Sequence, residues 1–167
     1  VSVLDWLRTR DDGLQYIDGD TQKLIIDFSL IWMYFEANYL GTDGSPPVLL
    51  SLVQLLADAD LLDAAGIEPH FAYFQGRYVA DDGHLTSHFE DLGLTDKYRA
   101  PVEAALRSPK SLRDQLEACV LILNRYRNNL FHGPKWIARF VGDEKNLSHA
   151  IALVSAVVAM RDKASPD

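Results

Sequence analysis

The sequence predicts an all-α fold, an antiparallel helical bundle whose long penultimate helix carries the candidate site. Three observations lead there. Apolar residues recur at three- and four-residue steps in several long segments. Those segments are bounded by N-cap residues and by Gly or Pro stops. No run of residues alternates apolar and polar as a half-buried strand would. With 167 residues, 48% of them hydrophobic, the chain is long and apolar enough for one domain over 1–167 with a real core. There are no repeats, low-complexity tracts or linkers to divide it, so one bundle is expected.

The elements follow in order. Val3–Tyr16 carries Leu4, Leu7 and Leu14 as inward positions but is interrupted by Asp11-Asp12-Gly13. Asp18-Gly19-Asp20 is a turn, and Asp20 or Thr21 is placed to cap the next helix. Thr21–Leu40 is a strong helix: Leu24, Phe28, Ile31 and Phe35 share a face, and Ile25, Trp32, Met33 and Tyr39 extend apolar surface around it. A helix apolar on so many sides is central or packed twice, for instance against another subunit. Gly41 suits its C-terminal stop. Gly44-Ser45-Pro46-Pro47 reads as loop, cap and first turn, and Val48–Ala65 follows as a Leu-rich helix ended by Gly66. Pro69–Val79 is a shorter helix with Phe71, Phe74 and Tyr78 inward, and Asp81-Asp82-Gly83 is a turn. Leu85–Leu92 and Thr95–Leu106 are short helices joined through Gly93, with Pro101 a possible break in the second. Lys110–His132 is a long helix with Leu112, Leu116, Cys119, Leu123, Tyr126 and Leu130 on one stripe, stopped by Gly133-Pro134. Asn146–Lys163 is the last, with Leu147, Ile151, Val154 and Val158 inward.

The net charge of −8 argues against a general polyanion binder. The charge is uneven, however. From Ala118 to Gly142 there is no Asp or Glu, while Arg125, Arg127, Lys135 and Arg139 fall inside, so an anionic ligand is expected at this window. A single cysteine, Cys119, lies in an apolar run; it excludes an internal disulfide and suits a reducing compartment, the cytoplasm. The most apolar stretch, Leu24–Leu40, contains Asp27, Glu36 and Asn38 and fits a core helix better than a membrane span. No signal-peptide pattern is present, and the sequence opens on Val1 rather than Met, which leaves open whether residues precede it.

Within the basic window the helix end concentrates usable chemistry. Asn124, Asn128 and His132 are spaced i, i+4, i+8 and form one polar row. Arg127 lies about 140° round the helix from His132 and needs a long reach, or a second subunit, to join that row. Arg125 is close to His132 in angle but nearly two turns away. An imidazole exchanges protons near neutral pH, a guanidinium pairs with phosphate and with charge developing on it, and amides orient either. Metal-free cleavage of a phosphodiester fits this set best. RNA is the natural substrate, since its 2′-hydroxyl is an internal nucleophile. The plainer reading, cations that complement the helix dipole, stays open on inventory alone.

Arg127-Asn128-Asn129-Leu130-Phe131-His132 resembles the signature of the HEPN superfamily (higher eukaryotes and prokaryotes nucleotide-binding domains): Arg, a polar residue, three of any kind, His. The wider string RYRNNLFHGPKW is similar to bacterial members, and Trp32-Met33-Tyr34-Phe35-Glu36 resembles an aromatic-then-glutamate pattern on an early helix there. The resemblance implies a homodimer with a composite site at facing motifs. It also implies metal-independent endoribonuclease activity in toxin–antitoxin or antiviral defence settings, regulated by an antitoxin or other protein. It implies that Arg127 binds the scissile phosphate, that His132 acts as general base or acid, and that Asn128 orients them. Some family toxins carry a Tyr two residues after the histidine that is modified to silence them; Pro134 stands there, so that mode is not expected. Other members are catalytically inactive modules that bind RNA, nucleotides or proteins, and this is the alternative.

Around this core, Arg125, Asn129 and Lys135 are candidate substrate contacts, and Glu36 and Asn124 candidate supports. Glu36, an acid in a very apolar helix, calls for a cation from Arg125, Arg127 or Arg77. Arg139 is a further phosphate candidate, and Trp136 is expected to cover the helix end rather than stack a base. His84 and His88 at i, i+4 lack a third placed ligand, and His70 and His149 are isolated; no metal is expected. Nor is any cofactor, since P-loop, dinucleotide fingerprint and nucleophile elbow are all missing from the sequence.

Overall fold

A computed structural model of the chain describes residues 2–11, 14–15, 17–131 and 144–164. The named elements among them are all helical: α1 Val3–Arg8, α2 Gly19–Tyr39, α3 Pro46–Asp58, α4 Ala64–Tyr78, α5 Ser87–Asp91, α6 Asp96–Arg107, α7 Leu112–Phe131 and α8 Glu144–Asp162. They pack into the expected all-α bundle. One isolated antiparallel bridge, Val79 with Leu85, closes the turn at 81–83, where Gly83 takes a φ of +81°.

Local chemistry sets the ends. The cap of α2 is Asp18, two residues earlier than expected: its carboxylate accepts the Thr21 N–H at 2.7 Å, and burial of Thr21 fixes the first turn. Gly41, with φ +60°, stops α2 as expected. The helix expected over 48–65 is in fact divided. It stops at Asp58, Asp60 turns left-handed (φ +55°), and Asp63 starts α4 by accepting from the Ala65 N–H at 3.1 Å. The local Asp cap wins over continued Leu periodicity. Gly66 is therefore no stop but part of the first turn of α4. A Cβ there would meet the Ala156 Cβ at 3.1 Å, so its bareness lets α4 approach α8. Pro69 and Pro101 both lie inside helices, α4 and α6. Both side chains are exposed, on the side where water can hydrate the carbonyl each leaves unbonded.

The enclosed helix is α7 rather than α2. Every residue from Ala118 to Asn124 is buried, and α7 packs against α3, α4 and α6. The expected stripe is thus only part of a fully buried middle. Helix α2 buries Phe28, Trp32 and Phe35 and packs against α8. It leaves Ile26, Leu30, Met33 and Tyr34 exposed on one face. Two cross-helix series give directions. Gly66–Ala156, His70–His149 and Tyr73–Asn146 run oppositely in α4 and α8, which are antiparallel. Thr21–Glu144 and Tyr39–Asp162 run together, so α2 and α8 are parallel. Outside the main core, Leu4, Leu14 and Ile17 form a small cluster of their own.

Candidate functional site

The end of α7 meets α2 and the α2–α3 loop through a circuit of polar contacts that runs from Glu36 to Gly44. Arg127 sits just before the last turn of α7 and reaches 3.5 Å from Glu36 Oε2 on α2. Its Nη1 donates to Asn128 Oδ1 at 3.0 Å. Asn128 Nδ2 donates to Asn124 Oδ1 at 3.2 Å, and Asn124 Nδ2 donates to the Gly44 carbonyl at 2.8 Å. Gly44 also packs against Glu36: a Cβ on it would come within 2.9 Å of Oε2. Glu36 also accepts from the indole N–H of buried Trp32 at 2.5 Å.

The spacing explains the arrangement. Trp32 and Glu36 are one helical turn apart, as are Asn124 and Asn128, so each pair stacks along its own helix. Burial of Trp32 and Asn124 then fixes the two rows against each other. Glu36 therefore has its cation, and among the three arginines considered it is Arg127. The arginine also reaches the asparagine row within its own chain, through Asn128, without a second subunit. The guanidinium carbon lies 5.9 Å from the ring centre of Phe131, which is half exposed at the helix end. The Arg127 Nε is buried and has no acceptor among the described residues.

The circuit joins Arg127, Asn128, Asn124 and Glu36. It does not include Arg125 or Asn129, which lie round the other side of α7. Arg125 Nε donates to the Leu92 carbonyl at 2.9 Å, and its Nη2 is 3.5 Å from Asn129 Oδ1. Gly93, with φ +65°, lets that guanidinium approach: a Cβ would stand 3.3 Å from Nη2. This pair fastens the α5–α6 connection to α7. His132 and Lys135, with Gly133, Pro134, Trp136 and Arg139, lie outside the described residues.

Two groupings escaped the sequence reading. His70 on α4 and His149 on α8, expected to be isolated, face each other with their Nδ1 atoms 2.9 Å apart. At the C-terminal end of α2 a groove is lined by Tyr34, Asn38, Tyr39, Arg161 and Asp162, where the Tyr39 hydroxyl donates to Asp162 at 2.7 Å. That carboxylate, ahead of Tyr34 and burial, pushes the Tyr39 hydroxyl well above the usual phenol range. Partners so distant in sequence leave no local pattern. Cys119 is fully buried, as expected, and burial pushes its thiol far up. His84 and His88 are exposed, and among the described residues no three His, Cys, Asp or Glu side chains gather as metal ligands. No described helix is long and apolar enough to cross a membrane.

Chemically, the circuit presents one fixed guanidinium at the end of a buried helix, braced by a carboxylate and two amides, in a window free of other acids. Compared with protein-family models, curated proteins and solved structures, the chain finds no match.

Proposed function

We propose that the chain is a metal-independent endoribonuclease of the HEPN type, cleaving RNA by 2′-hydroxyl attack in a cytoplasmic toxin or phage-defence setting. The reading rests on the resemblance of Arg127–His132 to that motif. The observation that carries it is the bracing of Arg127 by Glu36 and Asn128, which holds the motif arginine in one orientation. In this reading Arg127 binds the scissile phosphate, and Asn128 holds the arginine with Asn124 behind it. His132 removes the 2′-hydroxyl proton or protonates the leaving 5′-oxygen. The products are a 2′,3′-cyclic phosphate and a 5′-hydroxyl. Lys135 contacts a flanking phosphate.

A homodimer supplies the second motif. The exposed face of α2 offers the apolar surface for it: Met33 is about 60° round the helix from Glu36, so a partner seated on that face lies beside the circuit. An antitoxin or regulatory protein is the expected further partner.

The test is cleavage of structured and unstructured RNA in EDTA, beside Arg127→Ala and His132→Ala. Each substitution is expected to abolish cleavage, and mixing the two inactive variants to restore part of it if the site is composite. Cleavage that survives either substitution refutes the roles. One observation favours the alternative, an inactive module that binds RNA, a nucleotide or a protein. Glu36 already pairs with Arg127, as in a purely structural ion pair. RNA binding without cleavage in the same assay decides for it.

A further inference from the structure

The contact between His70 and His149 is independent of the proposed nuclease site. Its geometry is specific. The two Nδ1 atoms are 2.9 Å apart, while the ring centres are 5.2 Å apart, a difference of about one imidazole width. The rings therefore meet nitrogen to nitrogen, head on. Two imidazoles sharing a metal ion aim their lone pairs at a common point to one side of the line between them; these two aim at each other. The contact is a hydrogen bond in which one Nδ1–H donates and the other Nδ1 accepts. It is set firmly. His149 stacks on Tyr73 with ring centres 3.9 Å apart and planes 8° from parallel, and the Tyr73 hydroxyl donates to buried Asn146 at 2.6 Å.

We propose that His70 and His149 form a pH-dependent clasp between α4 and α8, closed with up to one added proton and opened by the second. The proton count follows from the bond. The first proton enters at Nε2 of the donor ring and leaves Nδ1–H to Nδ1 intact. The second must enter at the acceptor Nδ1, and two N–H groups then confront each other across the same gap. The surroundings give little relief. Lys145 of α8 adds positive charge beside His149. Glu144 is engaged by Thr21 of α2, and Glu68 of α4 is exposed. Between Ala118 and Asn124, the buried middle of α7 offers no charged residue. Burial, then His149, holds His70 below the ordinary histidine range; burial, then Lys145, does the same for His149. The unfolded chain therefore binds more protons just below the ordinary histidine value of about 6.5. Stability from the clasp is present above that pH and is lost as pH falls through the depressed folded values.

Two measurements test the clasp on the intact chain. In nitrogen-15 imidazole spectra at pH 7.5, one ring is expected as the Nδ1–H tautomer and the other as Nε2–H. Two Nε2–H rings overturn the proposal. In denaturant unfolding, the midpoint is expected to fall between pH 7.5 and 5.5. That fall should shrink in His70→Asn and in His149→Phe, which keeps the stack on Tyr73, and vanish in the double variant. An unchanged pH dependence in the double variant overturns it. So does a midpoint raised by zinc or copper ions in the wild type alone, which would make the pair a metal site.

Discussion

Replacing Glu36 by Gln is the most direct probe of the circuit at the end of α7. The change keeps shape and an acceptor for the Trp32 indole but removes the charge facing Arg127. The magnitude follows from geometry. Two unit charges about 4 Å apart attract by ~4 kcal/mol at an effective dielectric near 20, before the cost of removing them from water. Side-chain exposures are 29% for Arg127 and 19% for Glu36 at a separation of 3.5 Å. The pair is thus neither a solvated bridge, worth about 0–1 kcal/mol, nor a fully buried one, whose breaking costs about 3–5 kcal/mol. A coupling of about 1–2 kcal/mol lies between these limits. The assay is a double-mutant cycle of Glu36→Gln and Arg127→Met, unfolded in urea at pH 7. Methionine keeps apolar bulk where the arginine stem packs, so the cycle isolates the charge interaction. A coupling within about 0.3 kcal/mol of zero, the additivity error of such cycles, would refute the claim that Glu36 braces Arg127. Raising the salt to 1 M should reduce the coupling without abolishing it, since the pair is shielded from bulk ions.

Two further outcomes are expected. Gly44→Ala should lower stability by about 1–3 kcal/mol, read by thermal melting, because its Cβ would stand 2.9 Å from Glu36 Oε2 and 3.2 Å from Trp32 Cζ2; an unchanged melt would mean that the loop yields freely. Cys119 should resist a thiol reagent at pH 8 in the native protein and react once it is unfolded, since burial both hides the thiol and disfavours its thiolate.

Helix existence was legible in the sequence because periodicity and caps act over a few residues. Ser45-Pro46-Pro47 opened α3 and Gly41 closed α2 where local rules put them. Boundaries failed where two local signals competed. The leucines at 61 and 62 continued a helical pattern, but Asp63 used its carboxylate to begin a new helix. The sequence also left open whether α2 is central or packed twice. Within the chain its Leu30 and Met33 are exposed, and α7 is the helix whose middle, Ala118–Asn124, is buried all round. Composition measures how much of a helix could be covered, while packing decides which neighbours cover it.

The same division runs through the candidate site. The sequence by itself determined the acid-free basic window, the i, i+4 step from Asn124 to Asn128, and the need of Glu36 for a cation. These follow from covalent order and helical pitch. Tertiary structure alone decided that the cation is Arg127, that Arg125 reaches the Leu92 carbonyl, and that Asn124 donates to the Gly44 carbonyl. It alone set His70 against His149, since 79 positions separate them along the chain and only the antiparallel packing of α4 on α8 brings them within hydrogen-bond reach. Charge and hydrogen-bonding needs are written locally; which partner meets them depends on packing between distant helices.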